Sequence, residues 1–108
     1  MTASRILSTT LLAAFAVLLG TAAEAKVVHI DIEKFSFTPK RVTAEIGDTI
    51  EWTNRDAVGH TVSAEDKSFE VVLTPGGTER LVIEHVGKFY YYCHFHSRMT
   101  ARVEIVTH

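Results

Sequence analysis

The sequence holds a single cysteine, Cys93, so no disulfide can form within the chain. It holds two prolines, Pro39 and Pro75. It has no run or stripe of basic residues, and 11 Lys+Arg against 13 Asp+Glu leave a net charge of −2. That balance lacks the electrostatic footprint of a nucleic-acid binder. No internal repeat or low-complexity segment follows Ala25, and no amphipathic helical pattern appears there. No apolar run reaches the roughly 20 residues that a membrane-spanning helix needs. A chain of 108 residues has room for one domain.

What is present starts with the N-terminus. Met1–Arg5 carries one positive charge, Ile6–Leu19 is largely apolar, and Ala23-Glu24-Ala25 has small residues flanking a variable one. These are the three parts of a secretory signal peptide. The expectation is cleavage after Ala25, an exported chain of residues 26–108, and a periplasmic location. Losing Arg5 and Glu24 together leaves the net charge unchanged. Export places Cys93 in an oxidising compartment, where a lone thiol is open to oxidation unless something occupies it. A buried structural thiol is the ordinary reading of one cysteine, so the neighbours decide.

After residue 26 the pattern has period two. Val28, Ile30 and Ile32 alternate with His29 and Asp31, and Ile50 and Trp52 alternate with Glu51 and Thr53. Leu81 and Ile83 flank Val82, and Val103 and Ile105 flank Glu104. Phe89, Tyr91 and Cys93 share one face, opposite Tyr90 and Tyr92. Alternation of this kind marks half-buried strands. Turn signals separate them at Thr38-Pro39, Gly47-Asp48, Val58-Gly59, Pro75-Gly76-Gly77 and Gly87. The fold expected is an all-β Greek-key sandwich of about seven to eight short strands. The stretch Glu65–Thr74 is short, so trimmed strands are expected there.

The densest group of metal-ligand types is Cys93-His94-Phe95-His96-Ser97-Arg98-Met99. Thiolate, imidazole and thioether on one short loop form a soft donor set that favours copper over magnesium or calcium. A fourth ligand must come from elsewhere. His60 is the candidate, because it follows the Asn54–Gly59 loop that leaves the Trp52 strand. In a sandwich that loop can lie at the same end as Cys93. A structural zinc site would bring more Cys or His and no Met. No Asn/Asp orienter or oxyanion motif accompanies Cys93 as a thiol nucleophile, so no enzyme is expected.

The segment Phe35-x-Phe37-x-Pro39, then Gly47-Asp48-Thr49-Ile50-x-Trp52-x-Asn54, His60-Thr61-Val62 and Gly87-x-Phe89-x-Tyr91-x-Cys93-x-x-His96-x-x-Met99 resembles the cupredoxins, especially the amicyanin and plastocyanin-like branch. The resemblance runs from about Val27 to Val106. It implies a β-sandwich that holds one type 1 copper and passes single electrons between redox proteins. His60, Cys93 and His96 match the strong ligands and Met99 the weak axial one, the general blue-copper arrangement. Cys-x-x-His spacing favours His96 over His94. Partners are expected to dock near His96, on an apolar surface of Phe95 and Val58 with Arg98 at its edge, and the chain is expected to be a monomer.

The chain departs from the relatives at two places. The Cys93–Met99 segment has no proline, and Thr61 stands where an Asn often links the ligand loops. Trp52, Phe35 and Phe37 read as core. His29, His85 and His108 read as structural or exposed. A copper-delivery protein using the same ligands is the competing functional reading.

Overall fold

The structure is a computed structural model that describes residues 24–108. The expected signal peptide falls almost wholly on residues 1–23, outside the described residues. Nine strands follow in order: β1 (Val27–Glu33), β2 (Ser36–Thr38), β3 (Arg41–Glu45), β4 (Thr49–Asn54), β5 (His60–Ala64), β6 (Glu70–Leu73), β7 (Thr78–Val82), β8 (Gly87–Cys93) and β9 (His96–Val106). They form a four-stranded sheet, β2-β1-β4-β7, and a five-stranded sheet, β3-β9-β8-β5-β6. The pairs β1–β4 and β3–β9 are parallel, and the remaining pairs are antiparallel. This is the all-β sandwich expected. The strand count exceeds the expectation because the chain folds back after Glu33 into the three-residue β2, a strand too short to show periodicity. The Glu65–Thr74 stretch holds one strand, the four-residue β6, paired with β5.

The two inner faces supply the core. Ile30, Ile32, Ile50 and Trp52 from one sheet meet Val62, Leu73, Tyr91, Cys93, Val103 and Ile105 from the other, all almost fully buried. Burying each large aliphatic side chain contributes about 1.5–3 kcal/mol. Trp52 and Tyr91 lock the sheets together: their rings meet edge to face at 5.8 Å, and Trp52 Nε1–H donates to Tyr91 Oη at 3.3 Å. Burial pushes the Tyr91 phenol up to about 12, so it stays a neutral partner for the indole. Among the described residues no helix is long and apolar enough to cross a membrane.

Two features place the site at one end of the sandwich. Strand β5 lies between β8 and β6, and all five of its residues are buried. Yet β5 pairs with β8 only at Ser63↔Tyr92 and Ala64↔Tyr91. Nearer His60 and Cys93 the two strands have no ladder pairing. The second feature concerns the expected ligand loop, which is a tight turn in the structure. Cys93 ends β8, His96 begins β9, and only His94 and Phe95 intervene. Tyr92 pairs with Thr100 while Cys93 pairs with His96. Ser97, Arg98 and Met99 therefore bulge out of register, as extra residues on one strand of a pair must.

Candidate metal centre

His60, the first residue of β5, is fully buried. Its loop is organised by Asn54, the last residue of β4. Asn54 is fully buried and satisfied on both ends. Its Nδ2 donates to the carbonyls of Val58 (2.8 Å), Thr74 (3.2 Å) and Leu73 (3.3 Å), and its Oδ1 accepts from Asp56 N–H at 3.0 Å. This pins the loop so that β5 starts at His60, as buried amides require their full set of partners.

His60 Nδ1 lies 3.7 Å from Cys93 Sγ, and His96 Nδ1 lies 3.7 Å from the same sulfur. One donor atom from each residue falls within 4.8 Å of the other two. The fit to a metal can be tested by geometry. Bonds of about 2.3 Å to a thiolate and about 2.0–2.1 Å to an imidazole, subtending about 110–120°, separate sulfur from nitrogen by about 3.6–3.8 Å. The observed spacing matches that of three ligands around one ion. The donor set, one thiolate and two imidazoles, suits copper. Met99 is buried on the core side of β9.

The groups behind these residues are fixed. Thr61 N–H donates to Cys93 Sγ at 3.4 Å, so a backbone donor does reach the sulfur. Thr61 Oγ1 accepts from His94 N–H at 2.9 Å and so ties the two candidate ligand segments together. His60 Nε2 meets Asp56 Oδ2 at 2.8 Å. A carboxylate on the far ring nitrogen fixes the tautomer and orients a ligating histidine. The same carboxylate accepts from Lys34 N–H at 2.7 Å and Phe35 N–H at 2.9 Å. Burial pushes the Asp56 carboxyl up, but the bonds from Phe35, His60 and Lys34 outweigh it and hold it below the ordinary carboxylate range.

His94 is turned away from the cluster. Its Nε2 lies 2.7 Å from Glu70 Oε2, and its ring meets Tyr92 edge-on at 5.1 Å. His29 pairs with Glu51 at 2.8 Å, and His108 lies 3.5 Å from Glu45. His85 is exposed.

Phe35 corrects the sequence reading. Phe37 and Trp52 are core, but Phe35 is 49% exposed and sits over the site. Its ring meets His96 at 4.7 Å and His60 at 5.4 Å, both edge to face. The cause is backbone geometry. Lys34 and Phe35 both have positive φ, 54° and 58°, which carries Phe35 out of the β1 alternation. Asp56, which accepts both of their N–H groups, holds them there. Sequence reasoning also missed Asp56 and Glu70 as supporting groups. A carboxylate four residues before a candidate histidine ligand was the available signal for Asp56.

A family model described as a cupredoxin-like domain matches residues 6–106. The chain belongs to the cupredoxin family. Among solved structures it resembles a novel purple cupredoxin from Nitrosopumilus maritimus, at 26% identity and a TM-score of 0.68, over 72% of this chain and 98% of that one. It also resembles a variant of amicyanin in its reduced copper(I) form, at 25% identity and a TM-score of 0.65, over 80% of this chain and 86% of that one. The fold likewise matches part of a copper-containing nitrite reductase from Thermus scotoductus, at 23% identity and a TM-score of 0.71, over 83% of this chain but only 25% of that one. Comparison with curated protein sequences finds no match.

Proposed function

We propose that the chain is an exported single-electron carrier of the blue-copper kind, periplasmic, in which His60, Cys93, His96 and Met99 would hold copper. The observation that carries the proposal is the spacing of the His60 and His96 nitrogens around Cys93 Sγ. The neighbouring purple cupredoxin and amicyanin support the same chemistry. Copper, when bound, supplies a one-electron couple. The chain's own residues supply the rest. Asp56 and Thr61 hold His60 and the sulfur in one arrangement, which keeps rearrangement small when the oxidation state changes. Thr61 N–H on the sulfur tunes the potential.

The surface around the site suits docking by a redox partner. Phe35 is 49% exposed with its ring against that of the partly buried His96, and Phe95, the residue before His96, is 67% exposed. Exposed apolar side chains beside a candidate ligand are the kind of feature that marks an interaction surface.

Voltammetry of the copper-loaded chain, combined with a chelator challenge, tests the proposal. A carrier gives a reversible one-electron wave and loses its copper slowly. A chain without that wave that yields copper rapidly is a delivery protein.

A further inference from the structure

Where β5 and β8 lose their ladder pairing, beyond Ser63↔Tyr92, side chains take over the bridging. His94 N–H donates to Thr61 Oγ1 at 2.9 Å. Thr61 Oγ1 and Ser63 Oγ are 3.0 Å apart. Ser63 Oγ donates to Glu70 Oε2 at 2.8 Å. Glu70 Oε2 lies 2.7 Å from His94 Nε2, which closes the ring.

The direction of the ring follows from donor and acceptor capacities. An ionised carboxylate only accepts, so the Ser63 proton points at Glu70. Ser63 oxygen then accepts the Thr61 proton, and Thr61 oxygen is left to accept from His94 N–H. Each bond polarises the next. Thr61 is also the residue whose N–H reaches Cys93 Sγ. The ring therefore includes the residue that donates the sulfur's hydrogen bond.

We propose that Glu70 is a positioning residue for the Cys93 centre, acting through this closed ring to hold the His94–Phe95 turn and Thr61 in the arrangement that presents an N–H to the sulfur. The proposal rests on the copper reading for its consequence at the metal, but the ring itself does not. The ring contributes little to global stability. Glu70 and His94 are 52% and 50% exposed, and exposed ion pairs add little. Its effect is on direction. Without the carboxylate, Ser63 has no obligate acceptor and its proton can turn toward Thr61. The Thr61 hydroxyl then has two proton arrangements instead of one.

The test uses the full chain with Glu70→Ala, Glu70→Gln and Ser63→Ala. In the metal-free protein, amide exchange at His94 accelerates about two- to tenfold in Glu70→Ala and Ser63→Ala. Glu70→Gln, which keeps an acceptor oxygen, stays within about twofold of the parent. In the copper-loaded protein, Glu70→Ala shifts the thiolate-to-copper band and speeds copper loss to a chelator by about two- to tenfold, while the melting temperature of the metal-free protein barely moves. Unchanged His94 exchange in Glu70→Ala overturns the ring. Faster exchange with an unchanged band and release rate overturns the positioning role. A parent chain with no such band refutes the copper reading instead, and the exchange rates still decide the ring.

Discussion

Replacing Asp56 by Ala removes one carboxylate that does two jobs. It accepts from Lys34 N–H at 2.7 Å and from Phe35 N–H at 2.9 Å, and it meets His60 Nε2 at 2.8 Å. Hydrogen bonds to a charged group are worth about 1.5–3 kcal/mol each when shielded. The Asp56 side chain is only 12% exposed, but the two N–H groups lie on an exposed turn, which lowers their share. The expected total is about 2–3 kcal/mol, or a fall in melting temperature of about 8–24 °C for a domain of this size. Loss of the carboxylate that orients a ligand histidine lowers metal affinity about 10–100-fold. Asp56→Asn retains one acceptor oxygen and falls between. Thermal melts of the metal-free chain read the first effect, and chelator competition reads the second. An Asp56→Ala chain that melts within about 2 °C of the parent and keeps copper within about threefold would refute the assignment of Asp56 to both tasks.

Other substitutions probe the site and the fold separately. Cys93→Ser abolishes the thiolate-to-copper band while leaving much of the β-sheet signal in circular dichroism. His96→Ala loses that band, whereas His94→Ala keeps it with at most a small shift, and equal losses would mean that His94 also ligates. Phe35→Ala leaves the core intact but opens His60 and His96 to solvent, so an added small anion such as azide perturbs the copper(II) spectrum more strongly than in the parent. Acid stability depends in part on Glu51, which Arg80 Nε–H (2.7 Å) and His29 (2.8 Å) hold below its ordinary value of 4.5. A carboxyl lowered by folding stabilises the native state above its unfolded pKa and loses that contribution as pH falls through the folded value. Urea titrations from pH 6 down to pH 3 therefore show a shallower decline in Glu51→Gln than in the parent.

The strands and the nearer candidate ligands are legible because their signals are local. Alternation in Val28–Ile32 and Phe89–Cys93 needs only neighbouring residues, and Cys93 and His96 sit on one turn. His60 was reachable only by supposing a sandwich that brings its loop to the Cys93 end. Glu70 is not legible as a supporting group, because its contact with His94 spans more than twenty positions. Asp56 carries a local signal, its place four residues before His60, but its contacts with Lys34 and Phe35 span more than twenty positions. Phe35 reads as core by type, as an aromatic residue near Phe37, but the positive-φ turn that expels it depends on Asp56. The three-residue bulge at Ser97–Met99 is not legible, because a break in register leaves no period in the sequence.

If Cys93, His60 and His96 surround one copper ion with a thiolate bond, one equivalent of copper(II) added to the purified chain turns it intensely coloured. Its visible spectrum then shows a strong thiolate-to-copper band, and its EPR spectrum the narrow copper hyperfine splitting of a type 1 site. A pale protein with the wide splitting of an ordinary copper(II) complex would contradict it.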